Sequence, residues 1–190
     1  SNSEVKNNFS FGSTKNSINF KRLNIIHKIG DIYLFELIAN RRNKSNWSEN
    51  YPDKNYILNE EEINPKLTYL AGENNRINFI YKKIKINNQL GQQEFLDQQQ
   101  FGISVFLNQK ENRGFTSEFN YYNNRFEGEG DSIISYVMMN GLQNGENYTW
   151  SFKFQKKLSK LLDINFVYYG RKSPNSRTIH NGSVQLKAIF

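Results

Sequence analysis

The sequence predicts an all-β fold, an antiparallel up-and-down β-barrel of about 8–10 strands or the C-terminal part of a larger one, and three observations carry this. Apolar and polar residues alternate with a period of two along most of the chain, and no helix-period segment runs beyond three turns. Several alternating runs last about ten residues, close to the ~9–11 of a tilted strand crossing a bilayer and well above the ~5–6 of a globular strand. The connections alternate between short turns and long polar segments, as at the two rims of a transmembrane barrel.

In chain order, the strands are expected at 18–29, 31–42, 64–71, 75–86, 99–109, 114–126, 132–139, 146–157, 161–171 and 180–190. The first, INFKRLNIIHKI, slips in phase near Arg22, which reads as a bulge. DIYLFELIANRR puts Tyr33, Phe35, Leu37 and Ala39 on one face. Leu67 and Tyr69 follow, and GENN at 72–75 closes a hairpin onto Ile77, Phe79 and Tyr81. Ile103, Val105 and Leu107 share a face, ENRG turns the chain, and Phe115, Phe119 and Tyr121 follow. The segment 132–139 has the faintest alternation. YTWSFKFQKKL has the clearest, with Tyr148, Trp150, Phe152 and Phe154 opposite Thr149, Ser151, Lys153 and Gln155. Leu162, Ile164, Phe166 and Tyr168 repeat it, and the last strand places Val184, Leu186, Ala188 and Phe190 together. Short turns are expected near 30, 72–75, 111–113 and 158–160. Long loops are expected at 43–63, 87–98, 126–131, 140–146 and 171–179, with Trp47, Tyr51 and Tyr56 as exposed loop aromatics.

Composition suits one domain spanning 1–190. Mean hydropathy is only -0.76, yet a barrel hides its apolar half in the average. No apolar run reaches 18 residues, so a spanning helix is excluded. The absence of cysteine excludes disulfides and thiolate metal sites. The chain opens SNSEVKNN without an apolar leader, which reads as a mature chain or a C-terminal piece. A net charge of +7 admits nucleic acid as a partner, and YKKIK (81–85) and FKFQKKLSK (152–160) interleave aromatics with lysine as such a surface would. Because the aromatics keep to one face over whole strands, the better reading has aromatics facing lipid and lysines facing a lumen, with no nucleic acid.

Catalysis finds little support. His27 and His180 accompany no Ser or Cys nucleophile motif and read as strand-face or rim residues. EEE at 60–62 and EGEGD at 127–131 lack calcium-loop spacing and read as solvated loop charges. No phosphate-cradling glycine loop is present. The chain is therefore expected to be no enzyme, without cofactor or metal. The proposed lipid-facing residues are Tyr148, Trp150, Phe152, Phe154, Leu162, Ile164, Phe166, Val184 and Leu186. Tyr148, Trp150, Tyr168 and Tyr169 sit towards strand ends as interfacial girdle residues would.

The segments ISYVMMNGLQNGENYTWSFKFQKKLSKLLDINFVYYGRKS (134–173) and TIHNGSVQLKAIF (178–190) resemble the end of outer-membrane β-barrels from Bacteroidota. The terminal Phe190, preceded by apolar residues at alternate positions, resembles the signal read by the barrel-assembly machinery. The resemblance implies insertion by that machinery and a location in the bacterial outer membrane. It covers about 60 residues and carries over no functional site. The expected role is a membrane anchor or scaffold among outer-membrane lipid, with a protein partner at the long loops. The alternatives are part of a transport or translocation barrel, or a soluble β-sandwich binding an anionic polymer.

Overall fold

The computed structural model describes residues 2–9, 12–109, 113–159 and 161–188. Ten strands form one antiparallel meander in chain order: β1 (Asn2–Phe9), β2 (Gly12–Ile29), β3 (Tyr33–Ser48), β4 (Tyr56–Leu70), β5 (Asn75–Asn88), β6 (Phe95–Gln109), β7 (Arg113–Glu127), β8 (Gly145–Ser159), β9 (Leu162–Lys172) and β10 (Ile179–Ala188). Each strand pairs only with its sequence neighbours, so β1 and β10 are the two edges of an open sheet among the described residues. The architecture is all-β and up-and-down, as the alternation predicted. All described strands share one sheet, which departs from the two packed layers of a β-sandwich.

The strands are longer than expected at their long-connection ends. β2 has 18 residues and β3 has 16, and the expected loop 43–63 shrinks to 49–55, where Pro52–Lys54 makes a single 3-10 turn. Polar residues at 43–48 and 56–63 hid these strand halves, because both of their faces carry polar groups. EEE (60–62) therefore lies inside β4 and is not loop charge: Glu60 and Glu62 point one way and Glu61 the other. β1 was not foreseen, since NSEVKNNF holds only two apolar residues. The bulge expected near Arg22 does not occur. The β2–β3 register runs unbroken from Thr14↔Ser48 to Ile29↔Tyr33, and the described irregularity lies between Lys157 and Ser159 in the β8–β9 pair.

The segment expected as a strand at 132–139 is a helix, α1 (Ile133–Met138), within the β7–β8 connection. Ser132 caps it, its Oγ accepting from the Ser135 N–H at 3.0 Å. Asn140 and Gly141 take positive φ (53° and 73°) to end it, the Gly141 N–H donating to the Tyr136 carbonyl. Ile134 and Met138, four residues apart, share the buried side. A six-residue apolar run offers too little periodicity to separate helix from strand.

α1 packs on one face of the sheet, against Leu58 of β4, Ile84 and Ile86 of β5, Leu96 of β6 and Phe126 of β7. It also touches the 3-10 turn between β3 and β4. Two rim connections separated by four strands thus meet, which requires the sheet to curl into a trough around α1. Tyr56, expected to be an exposed loop aromatic, is half-buried against this cluster, whereas Trp47 and Tyr51 are exposed. No helix among the described residues is long and apolar enough to cross a membrane.

Candidate membrane-facing surface and polar interior

The pleat sorts side chains into two faces, and their burial is inverted relative to a water-soluble sheet. Over the central strands β4–β8 the inner face, towards α1, carries buried polar side chains. Glu60, Glu62, Thr68, Gln98, Gln100, Asn120, Asn124 and Asn147 are all under 10 % exposed. The outer face is apolar and open: Phe79 and Phe101 are each 50 % exposed, Phe119 45 % and Val184 63 %. Among the described residues, the buried apolar cluster is the patch beneath α1.

Most inner residues pair across strands, while the inner-facing Asn40 Oδ1, Asn64 Oδ1 and Asp163 Oδ1 are buried without a partner among the described residues. Gln98 Nε2 donates to Asn124 Oδ1 (2.7 Å), and Gln100 Nε2 to Asn120 Oδ1 (2.8 Å). Asn120 Nδ2 donates to Glu118 Oε1 (2.7 Å). Thr68 Oγ1 donates to Asn78 Oδ1 (2.8 Å), whose Nδ2 donates to Ser104 Oγ (2.7 Å). Glu60 accepts from Arg42 (3.3 Å) and Lys44 (3.1 Å), Lys82 lies 3.7 Å from Glu62, and Lys66 pairs with Glu36. Buried polar groups carry a penalty unless paired, so this lining is built as a network. Gly102 makes room for it: a Cβ there would collide with Asn120 Oδ1.

The outer face collects all nine residues proposed to meet lipid. Tyr148, Trp150, Phe152 and Phe154 pair in register with Lys172, Gly170, Tyr168 and Phe166; Phe166 and Ile164 pair in turn with Val184 and Leu186, and Leu162 lies on the same side. The strand register extends this surface to the earlier strands, beyond the nine residues named from sequence. Tyr81, Phe101, Tyr121 and Tyr148 form a row across β5–β8, with successive ring centroids 4.9, 6.4 and 5.3 Å apart. Phe115 and Phe166 flank Phe152 edge-on at 4.9 and 5.9 Å. His180 joins this face, sharing a 2.7 Å hydrogen bond with the Tyr168 hydroxyl. Tyr169, grouped with the girdle residues from sequence, points to the inner face, where Lys153 sits 5.8 Å from its ring. Phe190 lies outside the described residues.

The apolar band drifts along the strands. On β3 its upper end is Ala39, followed by Arg41; on β9 it is Tyr168, followed by Gly170 and Lys172. Tracing the pairing through β4 to β9 brings Tyr168 into the row of Tyr33, six residues below Ala39. Six residues at ~3.4 Å, over six strand spacings of ~4.8 Å, give a slope of about 35°. A horizontal band then requires strands tilted by about that angle, within the ~35–45° of membrane barrels.

The rims differ as well. One carries the short turns 30–32 and 71–74, where Lys28 Nζ bonds Asp31 Oδ1 at 2.9 Å and holds that exposed carboxyl below its ordinary value. The other carries the longer connections 49–55, 89–94, 128–144 and 173–178. Side-chain amides brace it: Asn88 accepts from the Ile57 N–H (3.1 Å) and donates to Glu94 (2.8 Å), and Asn144 accepts from the Phe126 N–H (3.0 Å). Asn147 and Asn124 both donate to the Gln143 carbonyl (2.7 and 2.9 Å).

No protein-family model matches the sequence, and no curated protein matches it either. Among solved structures, the fold is similar to OmpT (in-vitro folded), an outer membrane protein of Vibrio cholerae in its trimer form. The TM-score is 0.62 with 7 % sequence identity, over 99 % of this chain and 64 % of that one. The likeness is one of fold, and this chain spans 64 % of that protein's length.

Proposed function

We propose that the chain is an integral β-barrel of the bacterial outer membrane that serves as an anchor or scaffold, with its long connections presented to a protein partner. The observation that carries this reading is the inverted burial: a largely paired polar inner face over the central strands and an exposed, tilted band of aromatic and aliphatic side chains. In water such a band would leave a large apolar surface uncovered; against hydrocarbon it is at its lowest free energy. The nine residues from Tyr148 to Leu186 are its lipid-facing members. Phe190 is the assembly signal read during insertion, and the C-terminal resemblance supports a Bacteroidota source.

The test is extraction. The chain, expressed and refolded, is expected to fold only in detergent or lipid and to migrate differently on gels before and after heating. A folded monomer in plain buffer would overturn the reading. A second reading, part of a transport barrel, draws support from the open edges β1 and β10 and from the longer similar structure. Single-channel conductance in a planar bilayer favours that role; a silent, stably inserted barrel favours the anchor.

A further inference from the structure

We propose that the outer groove over β2–β5 binds the phosphate-bearing headgroup of an anionic lipid, an inference that rests on the membrane reading. Lys21, Arg41 and Glu61 stand directly above the apolar band on the outer face of β2–β4, and their row continues as Lys85, Asp97 and Arg125 on β5–β7, one polar residue further from the band. The row below holds Leu23, Ala39, Ile63 and Lys83. Between the two rows runs a groove of about 730 Å³, with Leu23, Ala39 and Ile63 as its apolar part and Lys21, Arg41, Lys83 and Lys85 beside Glu61 as its charged part.

The cations here are poorly satisfied by the protein. Arg41 lies 3.8 Å from Glu61 and Lys83 lies 3.7 Å from Asp97, both longer than the ~2.7–2.9 Å of a charge-assisted hydrogen bond. Lys21 and Lys85 have no carboxylate within 4 Å among the described residues. Four cations therefore face two carboxylates at the height where hydrocarbon gives way to headgroups. A phosphate accepts from several of them at once, and an acyl chain lies along Leu23, Ala39 and Ile63, of which Leu23 and Ile63 are 60 % and 55 % exposed. Zwitterionic lipid lacks the net negative charge that this balance calls for. Sequence reasoning assigned the lysines of 81–85 to a lumen, yet only Lys82 points inward; Lys83 and Lys85 stand on the outer face.

Native mass spectrometry of the detergent-folded chain tests this, with phosphatidic acid as probe and phosphatidylcholine as reference. The wild type is expected to retain phosphatidic acid preferentially. Lys21→Gln/Lys85→Gln weakens that retention about tenfold, whereas Lys156→Gln/Lys157→Gln, with the same loss of charge at the other rim, leaves it unchanged. About 1 M salt erases the preference, since screening then reaches ~3 Å. Equal retention by the groove variant and the wild type, or equal loss in both variants, would overturn the site. Displacement by equimolar inorganic phosphate would overturn the lipid as ligand and leave phosphate alone recognised. Both variants must keep the heat-sensitive gel shift. If the wild type itself lacks that shift, the membrane reading fails with this one; if it folds but does not select, only this inference fails.

Discussion

The indole of Trp150 fills the space that a side chain at residue 170 would occupy, directly across the β8–β9 pair from Gly170. A methyl group there would collide with the ring, so Gly170→Ala must swing Trp150 away from the Tyr168 hydroxyl (3.5 Å) and the His180 ring (6.1 Å). The expected loss is about 1–3 kcal/mol, read by urea unfolding in micelles with tryptophan emission as the signal. The added cost disappears in a Trp150→Ala background if the collision is its cause; simple additivity would refute the relationship.

Neighbouring residues on opposite faces should respond oppositely to charge. Phe152→Arg, on the outer face in mid-band, is expected to cost about 2–4 kcal/mol in bilayers, and Phe152→Asp somewhat less. Ser151→Arg, one residue earlier and facing inward, should cost far less. Reversible unfolding from vesicles measures all three, and equal penalties at 151 and 152 would show that both faces meet the same medium.

Glu60 and Glu61 offer the same contrast for ion pairs. Glu60→Gln leaves Arg42 and Lys44 without their shared carboxylate inside the trough, where its side chain is 8 % exposed; about 1–3 kcal/mol is expected. Glu61, 64 % exposed and 3.8 Å from Arg41, should tolerate glutamine within about 0.5 kcal/mol. Parallel thermal melts of the two variants decide the point.

Met138 anchors α1 in the apolar patch and is 2 % exposed. Met138→Ala should cost about 2–5 kcal/mol in the stability of this connection. Its sign is faster hydrogen exchange and proteolysis within 128–144, while the strand amides keep their protection.

The second half of the sheet was legible in sequence because β7, β8 and β9 set aromatic and aliphatic residues against polar ones. Period two then has strong contrast, as from Tyr148 to Gln155. Contrast vanishes where the outer face itself turns polar. Asn43, Ser45, Asn59 and Glu61 point outward beyond the apolar band, so the upper halves of β3 and β4 read as loop. The inner network was invisible for a related reason: Gln98, Gln100, Asn120 and Asn124 are ordinary surface residues in composition, and only the curl of the sheet buries them. The alternation put Tyr169 opposite Tyr168, as the structure has it, and only its grouping with the girdle residues fails, because proximity to a strand end says nothing about which way a side chain points.

Strand length has one more consequence. Sixteen residues of β3, at ~3.4 Å each and tilted by about 35°, rise roughly 45 Å, against an apolar belt about 25 Å tall. On the membrane reading, the excess stands as a β-wall outside the bilayer on the side of the long connections. Its first full course above the charged row is Asn19, Asn43, Asn59 and Asn87, four carboxamides abreast on four strands. Whatever approaches the membrane there meets uncharged hydrogen-bonding groups held at fixed ~4.8 Å intervals, a rigid ruler that no flexible loop could supply.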